Sequence, residues 1–274
     1  MKTKAIYLTT TLLLSASAVV FGDSAATSIT NGIQLRYGDA GGKATLTVNQ
    51  DITAGGHDSI AERTFLMEFE LSGEPDVVAV SINKVKGSYT AHDMTQRLPA
   101  SGLKGQSFSL TRVDDGRALQ RMGSDEKLAI GLGQMVGINY PIGLALVDIL
   151  PVLPEAAVTV GSTWSSVQDT RSLEGWAWAA GSLSSEHTVT AIDHNDGHTI
   201  VSVTTTAQAQ VVNVEGGIDY SGDGDLKRTS NWRFDATDGK LLSVSMEQHT
   251  SGMNTLPQGT MEVKQVTKVE YLAL

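Results

Sequence analysis

Cysteine is absent from this 274-residue chain, which leaves it no disulfide, no thiol nucleophile and no lipid-modified N-terminal cysteine. The fold must therefore hold through its core alone. The apolar run from Ala5 to Val20, about 16 residues, falls short of the roughly 20 that a membrane-spanning helix needs. With Lys2 and Lys4 before it and small residues after it, the run reads as a secretory signal peptide, cleaved after Gly22 or Ala26. No run of lysine or arginine is present either: 20 basic residues stand against 30 acidic ones, a net charge of −10. Losing Lys2 and Lys4 with the signal leaves 18 against 30, about −12, a balance that disfavours nucleic acid and anionic lipid surfaces as partners.

Catalytic signatures are also missing. There is no Gly-x-Ser-x-Gly elbow. Ser81-x-x-Lys84 and Ser101-x-x-Lys104 share the serine–lysine spacing of penicillin-recognising enzymes, but the companion Lys-Thr-Gly and Ser-Asp-Asn motifs do not occur. Gly131-x-Gly133 is followed by a glycine at 137, one position late for a dinucleotide fingerprint.

What the chain does have is alternation. From Asn31 onward apolar and polar residues alternate with a period of two, interrupted every eight to twelve residues by glycine-rich or Asp-Gly turns. Gly38-Asp39-Ala40-Gly41-Gly42 is one such turn; Asp115-Gly116, Asp196-Gly197 and Asp238-Gly239 are others, each suited to the positive φ that hairpins demand. Strands are expected near 33–37, 43–53, 63–71, 77–87, 106–113 and 117–122. A second set is expected near 183–192, 199–214, 226–234, 240–249 and 260–272. Between the sets, Leu128, Leu132, Met135 and Val136 have helical spacing, and Pro141 suits the first turn of a second short helix over Ile142 to Leu150. The order of strand, turn and strand around Asp115-Gly116 also recurs around Asp238-Gly239, a weak internal repeat.

The segment Leu153-Pro154-Glu155-Ala156-Ala157-Val158-Thr159-Val160-Gly161-Ser162-Thr163-Trp164 resembles the one that opens the second half in a family of exported bacterial proteins of unknown function. Those proteins pair it with a β-rich C-terminal region ending in an Asp-Gly hairpin, as here at Asp238-Gly239. Ala157 replaces a second proline of that pattern. The resemblance implies an envelope protein without a known catalytic role and carries over no functional residues. Physically, Val158 and Val160 alternate into a core, Gly161 makes a turn and Trp164 caps it. In architecture, many strands with a helical insert also resemble the half-barrel of periplasmic lipoprotein carriers, which implies a cavity for an acyl chain.

Three further patterns carry residue types that could form a site. His194-x-Asp196-x-His198 brackets a hairpin turn and offers two histidines without a third ligand nearby. Asp219-x-Ser221-x-Asp223-Gly224-Asp225 matches the first half of a calcium loop, but Ser230 stands where the closing glutamate belongs, so the segment reads as an acidic turn. Trp176 and Trp178 would share one face of a strand and could stack on a sugar or line an apolar cavity.

These observations describe an all-β chain. The expected fold is an antiparallel curved sheet or half-barrel of two related halves: a signal peptide over 1–22, β halves over 23–124 and 153–274, and a helical insert over 125–152. The expected function is that of a non-catalytic exported envelope protein, periplasmic or extracellular, needing no cofactor or metal and having no integral membrane span. Its ligand would be a lipid or other hydrophobic small molecule, held by Trp176, Trp178, Leu132 and Met135. The alternatives are an assembly component pairing with another envelope protein through a sheet edge, and a hydrolase with acids such as Asp169, Glu174 and Glu186 near the tryptophans.

Overall fold

The computed structural model describes residues 32–38, 41–56, 61–73, 76–91, 94–97, 103–121, 129–131, 139–141, 146, 149–168, 178–180, 182–213, 221–256 and 259–274. Strands dominate them. Gly42–Ala54 (β1), Ala61–Gly73 (β2), Val77–Ala91 (β3), Met94–Arg97 (β4), Ser107–Val113 (β5) and Ala118–Arg121 (β6) make a first meander. Ala129–Gly131 (β7) pairs with Asn139–Pro141 (β8). The second meander comprises Thr163–Gln168 (β9), Trp178–Ala180 (β10), Leu183–Asn195 (β11), His198–Asn213 (β12), Ser221–Asp235 (β13), Lys240–Leu256 (β14) and Gly259–Ala273 (β15).

The two meanders share one antiparallel sheet in the order β6-β5-β3-β2-β1-β15-β14-β13-β12-β11-β9, with β4 beside β3 and β10 beside β12. Their seam is the pairing of the first long strand with the last, in continuous register from Ala44↔Ala273 through Val48↔Val269 to Ala54↔Val263. The sheet is curved and does not close. Its inward residues from both meanders, among them Leu46, Phe69, Ile82, Val203, Phe234 and Tyr271, belong to one buried cluster. The turns behave as their composition requires: Asp115 and Gly116 have φ of 56° and 79°, Asp196 and Gly197 50° and 85°, and Gly239 65°.

The outward face is polar. One cross-strand row runs through Thr188, Thr204, Asn231, Ser245, Glu270 and Thr47, tied by bonds such as Thr204 Oγ1 to Asn231 Oδ1 (2.8 Å) and Ser245 Oγ to Glu270 Oε1 (2.7 Å). Polar residues outside and apolar residues inside is the reverse of a lipid-facing barrel. Among the described residues no helix is long and apolar enough to cross a membrane.

Four expectations change. Residues 33–37 do not form a strand against β1. Instead Ile33 bridges Val158, Tyr37 N donates to Gly116 O (2.7 Å) and Gly38 N to Gly239 O (2.9 Å). This segment lies in the core, where Leu35 and Tyr37 are buried and their apolar surface is removed from water. Within 125–152, Ala129–Gly131 is a strand rather than the expected helix, since Gly131 and Gly133 weaken a helix there. Leu128, Leu132, Met135 and Val136 lie outside the described residues, while Leu146 and Ile149 do have helical conformation. Val160 is 60% exposed rather than in the core, because the turn at Gly161 (φ 85°) begins directly after it. Finally, Ser221 to Asp225 belongs to β13, where Asp225 Oδ1 accepts from Gln210 Nε2 (2.6 Å). An extended backbone sends alternate side chains to opposite faces and cannot wrap them around a calcium ion.

Candidate functional site on the inner face

The inward series of β1, β11, β13, β14 and β15 are apolar except at one level. In β1, Ala44, Leu46 and Val48 are followed by Gln50 before Ile52 and Ala54 resume. In β15, Gln265 and Thr267 precede Val269 and Tyr271; in β14, Gln248 and Thr250 follow Val244 and Met246. In β13, Arg228 and Ser230 separate Leu226 from Trp232, and in β11, Ser185 and His187 separate Leu183 from Val189. All these polar residues are buried.

Register brings them into line. Arg63 lies opposite Gln50, Gln50 opposite Thr267, Thr267 opposite Gln248, Gln248 opposite Arg228, and Ser185 opposite Ser166. A polar rung thus crosses the inner face from β2 to β13, and after Ala207, which stands between Arg228 and Ser185, Ser185 and Ser166 continue the row. Burying such groups is costly unless they are hydrogen-bonded, and many are: Arg228 Nε and Nη2 both donate to Gln248 Oε1 (3.0 and 2.6 Å). Gln265 Nε2 donates to Thr267 Oγ1 (3.0 Å), Gln50 Nε2 approaches the same hydroxyl (3.5 Å), and Arg63 lies 5.8 Å from the centroid of the Tyr89 ring. The Oε1 atoms of Gln50 and Gln265 are buried without a partner.

The rung divides two unlike regions. On one side the inner face carries Phe65, Phe69, Phe108, Trp232, Phe234 and Tyr271. On the other, one row consists of Ala54, Val263, Gly252, Gly224 and Val211, within a smaller apolar cluster that includes Ile52, Leu183, Ala207 and Leu226. Side-chain volume falls steeply across the rung.

At its β11 end the polar set closes around His187. The imidazole stacks on Trp164 at 4.7 Å and meets Trp232 edge-on at 6.4 Å. Its Nδ1 bonds Thr205 Oγ1 (2.7 Å) and its Nε2 bonds Ser166 Oγ (2.9 Å), while Trp232 Nε1 donates to the same Thr205 oxygen (2.9 Å). Burial pushes the pKa of His187 down to about 4, with the charge of Glu186 opposing the shift, so the ring is neutral near pH 7. Ser166 and His187 have the contact of a nucleophile and its base, but the histidine is only 3% exposed. The adjoining cavity, lined by His187, Arg228, Trp232 and Leu150 among others, measures about 30 Å³, room for roughly one or two water molecules.

Of the residues singled out from sequence, Trp176, Leu132 and Met135 lie outside the described residues. Trp178 is placed in β10, opposite Asn213 of β12, with its side chain likewise undescribed. His194 and His198 do not converge: His194 Nδ1 bonds Thr199 Oγ1 (3.0 Å), whereas His198 Nδ1 bonds Asp235 Oδ2 (2.7 Å) and lies 3.8 Å from Asp238. His198, Asp235 and Asp238 form the kind of group that can hold a cation. Asp235 is nevertheless committed to the turn, its Oδ1 accepting from Thr237 N (2.9 Å). The inner rung was missed from sequence, although its signal is there: a lone polar residue in an otherwise apolar alternate series, as at Gln50.

No protein-family model matches the chain, and no curated protein does. Among solved structures, Pseudomonas aeruginosa OccK11 (OpdR) aligns over 89% of this chain and 99% of that one, at 9% identity and a TM-score of 0.20. A superposition that loose shows no shared fold.

Proposed function

We propose that the protein is a non-catalytic exported envelope protein that binds a hydrophobic or amphipathic small molecule against the inner face of its curved sheet. The observation carrying this reading is the division of that face into a large-residue core, a buried polar rung and a small-residue apolar region. A core selected for stability alone gains nothing from a row of buried polar groups. A ligand with an apolar body and a polar end, by contrast, needs both environments side by side. The burial and low basicity of His187 favour a binding role over catalysis. The basic, apolar N-terminal stretch, read as a signal peptide, supports export.

Native mass spectrometry of protein purified without harsh detergent, followed by organic extraction, tests the reading. A stoichiometric co-purifying amphiphile is the expected result; a bare apoprotein that also takes up no amphiphile added in vitro overturns it.

A further inference from the structure

Resting on that reading, we propose that the rung selects a ligand whose polar head carries free hydroxyl groups, and that Gln50 and Gln265 recognise it. The argument starts from unmet hydrogen-bonding capacity. Gln50 and Gln265 are 3% and 4% exposed, on neighbouring strands, and the Oε1 of each lacks a donor. Their amide nitrogens converge on one hydroxyl, Thr267 Oγ1. That hydroxyl has a single proton, so it can satisfy at most one of the two amide oxygens in any arrangement. Neighbouring capacity is committed elsewhere: Gln248 Oε1 takes two guanidinium bonds from Arg228, and Gln248 Nε2 donates to Thr250 Oγ1 (3.3 Å). Two buried acceptors, one on β1 and one on β15, are thus left without a donor, while Arg63, opposite Gln50, lies against the Tyr89 ring.

A carboxylate offers only acceptors and would set lone pairs against those amide oxygens. A hydroxyl donates and accepts, and so serves each glutamine whichever way its amide faces. Next to the glutamines, Ile52, Ala54, Val263 and Leu226 supply the apolar surface for the attached chain.

The full chain is titrated calorimetrically with 1-monodecanoylglycerol and with decanoate, which share one alkyl tail and differ in the head. The monoacylglycerol is expected to bind at least ~10-fold more tightly, because buried polar groups left unpaired penalise the analogue lacking the hydroxyl. In Q50L/Q265L the preference is expected to shrink below ~3-fold, with thermal stability kept or raised, since two orphaned acceptors are removed. Equal wild-type affinities would overturn the hydroxyl assignment and leave the binding reading standing. A preference that survives in the double variant would overturn the assignment to these two glutamines. If neither compound binds the wild type, both readings fall. Should the double variant not fold, Gln50→Leu and Gln265→Leu are read singly against the same criterion.

Discussion

Gly38 and Gly239 are in backbone contact: Gly38 N donates to Gly239 O at 2.9 Å, and a Cβ added to Gly239 would lie 2.2 Å from that same nitrogen. One residue earlier, Tyr37 N donates to Gly116 O. Two consecutive amides of the segment inside the sheet therefore meet the turns of two hairpins, one from each half of the chain. The Tyr37 ring packs edge-on against Phe234 at 5.5 Å, and its hydroxyl donates to Pro151 O (2.8 Å). Residues 35–38 thus fasten both meanders and the 149–153 segment at the large-residue end of the core.

Gly239→Ala is expected to destabilise the protein by at least about 2 kcal/mol, combining a left-handed backbone with a steric clash against main chain. Gly197→Ala is the control, because that hairpin glycine also has positive φ (85°) but open space where the Cβ would go; it should cost about 1 kcal/mol. Urea unfolding measures both. Equal losses would mean that the contact with Gly38 contributes nothing.

Because β1 and β15 join the halves through Val48↔Val269 and its neighbours, the core should open as one unit. Native-state hydrogen exchange is expected to give similar opening free energies for Phe65 and Met67 of β2 and for Trp232 and Phe234 of β13. A separation of more than about 2 kcal/mol between the two strands would show that each half unfolds independently.

The long strands were legible because alternation and Asp-Gly turns are local signals, and β11 to β15 lie within a few residues of their expected bounds apart from an earlier start of β13 and a later end of β14. The partner of a strand is not local. Nothing in Ile33 to Tyr37 distinguishes a strand from a buried, unpaired segment, since both need apolar residues at alternate positions. The rung was hidden for a related reason. Gln50, Thr267, Gln248 and Arg228 are scattered along the sequence, and only the register of four strands makes them one row.

Thr205 accepts from Trp232 Nε1 and bonds His187 Nδ1, so Thr205→Val leaves two buried polar groups unpaired while conserving volume. The expected loss is about 2–4 kcal/mol by urea or thermal unfolding. Thr204→Val, on the outward face beside Asn231, should change stability by less than about 1 kcal/mol. Losses of similar size at the two sites would show that the buried network carries no special weight.

His187 makes stability depend on pH in a defined window. Its folded pKa, about 4, lies below the ordinary 6.5, so between these values the unfolded chain holds a proton on this ring that the folded chain does not. Acid therefore favours unfolding. Above pH 6.5 the group makes no difference; as pH falls from 6.5 to 4 it removes about 3 kcal/mol, and below 4 the loss is complete. In His187→Gln this part of the pH dependence should vanish, although the variant is less stable at pH 7 because the stack on Trp164 is gone. Urea unfolding between pH 4 and 7.5 compares the two proteins, and NMR titration of the imidazole of His187 should give a midpoint near 4. A midpoint near 6.5 would mean that water reaches the ring, and the description of His187 as a neutral, sequestered hydrogen-bonding partner of Thr205 and Ser166 would then fail.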